Sequence, residues 1–181
     1  MTQGPRAEPF VIGFVGRSGA GKTTLAAAVA AELVGRGRRV AALKDAHHGV
    51  DLDRPGKDTW RYREAGAQRV ILRTAERWAV MAETPQGPAS VEALLALAGD
   101  AEIILVEGFK REGAFPRIEV RRREASSEPP LFAREGREQL AAVATDFDEP
   151  AFAGAPRLDV NDPKAVADFI EGLASSSRLR A

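Results

Sequence analysis

Residues 10–24 read FVIGFVGRSGAGKTT, and this stretch decides the fold. Phe10 to Gly16 is apolar at almost every position, which suits a parallel strand buried on both faces. Gly16-Arg17-Ser18-Gly19-Ala20-Gly21-Lys22-Thr23 then fits G-x-x-x-x-G-K-[ST] at every fixed position. Glycines let such a loop curl so that successive N–H groups face phosphate oxygens, and the following helix adds its positive end. The residues expected to hold nucleotide phosphates are therefore Gly16, Arg17, Ser18, Gly19, Ala20, Gly21, Lys22, Thr23 and Thr24. Lys22 is expected to reach the β- and γ-phosphates, Thr23 to ligate Mg²⁺ and Thr24 to touch the α-phosphate. The bland alternative is a tight strand-to-helix turn with a chance match, but the eight-residue pattern should arise by chance in well under ~1% of such chains, before its strand-to-helix context is counted. Arg17 is either a charge stabiliser, acting within one chain or across a dimer, or a solvated arginine beside phosphate.

Working outward, the helix is expected from Lys22 to Val34, with Leu25, Val29 and Leu33 on one face and Gly35 and Gly37 ending it. Residues 39–44 read as the next strand, and the β-α-β order implies a right-handed crossover and a parallel pair. A short helix is expected over 57–65, closed by Gly66, then a β-hairpin from 69–73 and 77–83. Residues 90–98 read as a helix capped by Ser90, and 103–107 (IILVE) as a buried strand. Residues 117–122 alternate Ile118 and Val120 with charges, which predicts a more exposed strand. Residues 123–138, with Pro129-Pro130 and Gly136, predict a mobile surface loop. Strands follow at 140–144 and 157–160, and Asp162-Pro163 opens a last helix, with a frayed tail from Ser175. The fold class is α/β: a P-loop NTPase three-layer sandwich with a mostly parallel sheet and a protruding β-hairpin. One nucleotide-binding domain is expected over 9–174, between flexible ends at 1–8 and 175–181.

Composition narrows the function. The 181 residues suit one ordinary core, and 26 basic residues balance 26 acidic ones, so no bulk charge argues for nucleic acid. The absence of cysteine excludes disulfides, thiolate nucleophiles and Cys-ligated zinc. Residues 1–9 lack the basic-then-apolar order of a signal peptide, and no apolar run reaches the ~20 residues of a membrane span. A cytoplasmic protein with no membrane partner is expected.

Glu107, at the end of an apolar strand and followed by Gly108, is expected to hold Mg²⁺ with Thr23 and to join Lys22 and Thr23 as the catalytic set. The alternative is a solvated strand-end glutamate. Residues 45–58 (DAHHGVDLDRPGKD) read as a polar loop at the sheet edge where ligands bind. Asp45, Asp51, Asp53 and Asp58 are candidates for Mg²⁺ or a water, and Asp45 is counted as a metal ligand. His47 and His48 are adjacent and lack a spaced third ligand, so hydrogen bonding to phosphate or to a second ligand suits them better than zinc.

The phosphate loop, HHGVDLDRPGKDTWRYREAGA (47–67), ERWAVMAET (76–84) and ILVEGFK (104–110) together resemble the MobB family of molybdopterin-guanine dinucleotide biosynthesis adaptor proteins. D-x-D-x-P-G-K-D followed by E-A-G-A carries the likeness further than the phosphate loop does, and past residue 115 it thins. The resemblance implies GTP and Mg²⁺ as cofactors, weak GTPase activity, a homodimer formed through a β-ribbon (here 69–83), and work beside a MobA-like guanylyltransferase. Molybdopterin or a molybdoenzyme is a further possible partner. The family tends to have Lys-His after the second strand where this chain has Lys44-Asp45. Guanine selectivity needs a carboxylate that accepts from the base, for which Asp146 is the first candidate and Asp162 the second; either has an ordinary loop or helix-capping role as its alternative.

The function expected is thus a GTP-binding adaptor with slow hydrolysis, water attacking the γ-phosphate in line while Lys22, Mg²⁺ and the loop amides stabilise developing charge. One rival is a small-molecule kinase, whose lid would have to come from Arg111, Arg117, Arg121, Arg122, Arg123, Arg134 and Arg137. The other is an ATP-dependent dimeric switch, favoured by a preference for ATP.

Overall fold

The computed structural model describes residues 8–46, 53–125, 127, 129–131, 137–148 and 154–179. Its elements are β1 (Phe10–Val15), α1 (Lys22–Gly35), β2 (Val40–Lys44), α2 (Asp58–Glu64), β3 (Arg69–Arg73), β4 (Trp78–Ala82), α3 (Val91–Leu95), β5 (Ile103–Glu107), β6 (Arg117–Arg121), β7 (Leu140–Thr145), β8 (Arg157–Asp159) and α4 (Pro163–Arg178). The chain divides into two units, one made of residues up to Asp45 together with those from Val91 onward, the other of Ala46–Ser90.

The first unit holds one parallel sheet in the order β2-β5-β1-β6-β7-β8. The first two strands are parallel, as expected, but they are not hydrogen-bonded neighbours, because β5 lies between them. Strand composition explains the order. Ile103 to Val106 are apolar and buried, which suits a central slot, whereas Ala42 and Lys44 of β2 are exposed, as an edge strand allows.

Alternation along the strands separates two cores. On one face Ile12, Phe14, Leu105, Ile118 and Ala144 pack with Leu25, Val29 and Leu33 of α1 and Val166 and Ile170 of α4. On the other, Ile104 and Val106 pack with Val91, Leu94, Phe109 and Phe115. Helices on both faces of the sheet make the three layers. The chain leaves α1 through Gly37 at φ +80°, where the Gly37 and Arg38 amides donate to the carbonyls of Val34 and Leu33 and stop the helix.

Strand β6 departs from expectation. It is central rather than exposed, and Arg117, Glu119 and Arg121 are buried with Ile118 and Val120. The face carrying the charges is covered by irregular chain, whose carbonyls and amides have no ladder partners and accept charged ones instead. The Arg117 guanidinium donates to the carbonyls of Phe109, Glu112, Gly113 and Phe115 and to the Gln139 side chain, and it stacks 4.5 Å from the Phe115 ring centroid. Glu119 accepts from the Leu131 amide at 2.8 Å.

Within the segment 123–138, Arg123–Ala125 and Arg137–Gln139 form single 3₁₀ turns, and most of what lies between is outside the described residues. Helix α4 runs to Arg178, past the boundary expected at Ser175, and the Ser175 and Ser176 hydroxyls donate to carbonyls one turn back. No helix among the described residues is long and apolar enough to cross a membrane.

The second unit contains α2 and the antiparallel hairpin of β3 and β4, in which Val70 pairs with Met81 and Leu72 with Ala79. Asp53 is buried there, accepting from Thr59 Oγ1 at 2.6 Å and lying 3.4 Å from the Arg63 guanidinium, which also donates to Glu83. The hairpin exposes Ile71, Leu72, Trp78 and Val80.

Candidate functional site

The loop between β1 and α1 turns on three glycines, with φ of +153° at Gly16, +76° at Gly19 and +84° at Gly21. Gly16 also has no room for a side chain: an added Cβ would stand 2.4 Å from the Val120 carbonyl oxygen. That close approach seats the start of the loop against β6. Lys22 folds back over the loop and donates to the Arg17 carbonyl at 2.9 Å. Burial lowers the Lys22 ammonium from its usual range; Glu107 opposes this, and Lys110 and Lys44 add to it. An anion brought to the loop would relieve the strain among these three cations.

Thr23 and Glu107, distant in sequence, meet here. Thr23 Oγ1 donates to Glu107 Oε1 at 2.7 Å. The Lys44 ammonium donates to the same carboxylate oxygen at 2.6 Å and to Thr23 Oγ1 at 3.2 Å. Burial works to raise the Glu107 carboxyl, but the hydrogen bonds from Lys44 and Thr23 outweigh it and hold the group below its usual range. A hydroxyl and a carboxylate oxygen this close, already facing one cation, make a hard-oxygen donor pair suited to Mg²⁺.

The turn after Glu107 is tight. Gly108 has φ +95° and Phe109 φ +46°, a left-handed value that a non-glycine residue adopts only under constraint. Burial of the Phe109 ring and the grip of Arg117 on its carbonyl supply that constraint. Asp45 lies beside Gly108, where an added Cβ would stand 2.8 Å from the Asp45 Cβ. The structure thus joins Lys22, Thr23 and Glu107 in one corner and puts Asp45 at its margin. His47, His48 and Asp51 fall outside the described residues, and Asp53 serves the separate cluster with Thr59 and Arg63. Among the described residues no group of three or more His, Cys, Asp or Glu side chains is placed to hold a metal ion.

Asp146, just past β7, borders a cavity of about 380 Å³ with Thr145, Arg157, Leu158, Asp159 and Asn161. Its carboxylate accepts from the Arg123 amide at 2.9 Å and lies 3.6 Å from the Arg122 guanidinium. Arg122 in turn donates to Asn161, and its Nε is 3.0 Å from where a Cβ on Gly21 would stand. Arg122 therefore links the loop to the cavity. Asp162 caps α4, accepting from the Ala165 amide at 3.0 Å. A second cavity, of about 590 Å³, opens at the other end of the strands, by Phe10, Phe115 and Arg178, away from every motif.

Sequence reasoning gave no role to Lys44 or Asn161, and considered Arg122 only for a kinase lid. Lys44 and Arg122 carried one available signal each, a charged residue at the carboxyl end of a parallel strand. Of the arginines considered for a kinase lid, Arg117 and Arg121 are buried in β6 instead, and Arg134 and the side chain of Arg137 lie outside the described residues.

The profile of the family described as MobB, molybdopterin guanine dinucleotide synthesis protein B, matches residues 11–146. This chain belongs to the MobB family. It is 42% identical over 164 residues to a molybdopterin-guanine dinucleotide biosynthesis adapter protein of Haemophilus influenzae, covering 89% of this chain and 87% of the relative. It is 37% identical to the corresponding Escherichia coli adapter protein, covering 88% of this chain and 90% of that one. Its fold is that of solved MobB structures: a crystal structure of molybdopterin-guanine biosynthesis protein B (TM-score 0.67, 22% identity, 91% of this chain and 99% of that one) and Bacillus subtilis MobB (TM-score 0.66, 24% identity, 90% and 96%).

Proposed function

We propose that this MobB-family chain is a nucleotide-binding adapter in molybdopterin guanine dinucleotide synthesis, which takes GTP and Mg²⁺ at the loop Gly16–Thr23 and hydrolyses the nucleotide slowly in the cytoplasm. The observation that carries the nucleotide reading is the meeting of Thr23 and Glu107 at 2.7 Å beside Lys22. The adapter role comes from the relatives, both named adapter proteins for that synthesis.

In this reading the loop amides and Lys22 neutralise the β- and γ-phosphates and face the charge that develops as water attacks. Thr23 and Glu107 would hold Mg²⁺, which when bound offsets charge between the β- and γ-phosphates. Asp146 and Asn161 line the cavity that suits the base, with Asp146 accepting from guanine. Ile71, Trp78 and Val80 are exposed on one face of the hairpin and Leu72 on the other, and the apolar surface on the first face favours pairing of two hairpins in a homodimer, since such surface marks an interface. A MobA-like guanylyltransferase is the partner enzyme.

Calorimetric titration with GTP and with ATP, each with Mg²⁺, tests the proposal. Binding of GTP well ahead of ATP is expected, and Lys22→Ala is expected to weaken it by at least about 100-fold, the loss of an ammonium from a phosphate site. ATP preference would turn the reading toward a kinase or an ATP-driven switch. Unchanged GTP affinity in a folded Lys22→Ala variant would overturn the site itself.

A further inference from the structure

We propose that Lys44 is a built-in cation of the Thr23–Glu107 pair: it holds the divalent-ion position, must be displaced when a metal enters, and lets the protein bind nucleotide phosphates without one. The proposal rests on the nucleotide-binding reading above and adds to it a role for a residue at the edge of the sheet.

The placement comes from the register. In the parallel pair of β2 and β5, Lys44 is the partner of Glu107, and in the pair of β1 and β5, Glu107 is the partner of Phe14. Alternation puts Lys44 on the side of β2 that carries Val40, and Glu107 on the side of β5 that carries Ile103 and Leu105; all three belong to the core under α1. Lys44 and Glu107 therefore project toward the N-terminus of α1, where Thr23 stands. The ammonium lies 2.6 Å from one Glu107 oxygen and 3.2 Å from the Thr23 hydroxyl. Magnesium binds oxygen at roughly 2.0–2.1 Å, and the ammonium already faces both Glu107 Oε1 and Thr23 Oγ1, so an ion that took these two oxygens would have to displace it.

An unscreened carboxylate beside Thr23 would repel a triphosphate. Lys44 cancels that charge, so the loop remains attractive to anions before any metal arrives. The Lys44 side chain is 55% exposed on a flexible stem, so it can swing from Glu107 toward solvent or phosphate when a metal takes its place.

The test measures GTP affinity by calorimetry in excess Mg²⁺ and in EDTA, for the wild type, Lys44→Met and Lys44→Arg. Circular dichroism and thermal unfolding confirm that each variant folds. The wild type is expected to lose less than about tenfold in affinity when Mg²⁺ is removed, about 1.4 kcal/mol. Lys44→Met is expected to lose at least about ten times more than that in EDTA, while binding as tightly as the wild type or tighter in Mg²⁺. Lys44→Arg keeps the charge and is expected to follow the wild type. Equal weakening of Lys44→Met in both buffers would make Lys44 an ordinary phosphate contact and overturn the proposal, as would no change in either. No GTP binding by the wild type in either buffer is a distinct result, which would remove the nucleotide reading along with it.

Discussion

Strands β5 and β6 flank β1 on either side and are both buried, yet one is written IILVE and the other RIEVR. On β5 each buried position meets another apolar surface, so burial and composition agree. On β6 only Ile118 and Val120 do so. The other side of β6 meets loop backbone, and charged side chains satisfy that backbone where a leucine could not. Alternation of charge along a strand therefore marks two different environments, and water is only one of the things that can fill the polar one.

Removing the hub of that polar side should have the largest effect. Arg117→Met leaves the carbonyls of Phe109, Glu112, Gly113 and Phe115 without their donor. The expected loss is about 3–5 kcal/mol, because several carbonyls lose a charged donor and each buried acceptor left unsatisfied costs roughly 1–3 kcal/mol. Urea unfolding measures it, and a loss below about 1 kcal/mol would mean that water takes over those carbonyls and that the contrast with β5 is superficial.

On the apolar strand, Leu105→Ala opens a cavity under α1 and is expected to cost about 2–4 kcal/mol. The same titration checks it. If this variant proves much more costly than Arg117→Met, the polar side of β6 is the softer of the two.

The smallest effect belongs to the tip of β5. The Glu107 carboxyl is held below its ordinary value of 4.5, so its contribution to stability is complete above that value and is lost as the pH falls through the lower folded value. Glu107→Gln should remove this acid-side loss, with a difference from the wild type under about 1 kcal/mol because solvent screens the pair with Lys44. Thermal unfolding followed from neutral pH downward measures it; identical pH profiles for the two proteins would show that Lys44 and Thr23 do not stabilise the carboxylate.

Much of the site was legible because it is local. The loop Gly16–Thr23 carries its geometry in its own glycines, the α1 face in the spacing of Leu25, Val29 and Leu33, and the α4 cap in Asp162 beside Pro163. Glu107 was legible as the acid that ends an apolar strand. The burial of β6 was not, since nothing in RIEVR says that loop 109–115 will fold over it. The length of α4 was misjudged because a run of serines reads as fraying, whereas here Ser175 and Ser176 bond back into the helix.

The sequence by itself determined a glycine-rich loop between a buried strand and a helix, a second strand tipped with an acid, and a hairpin, because each depends on neighbours in the chain. Only the tertiary structure decided that β5 enters between β1 and β2. Strand order depends on which faces find cover, and that insertion sets Glu107 between Thr23 and Lys44, a contact among three residues that no sequence spacing relates.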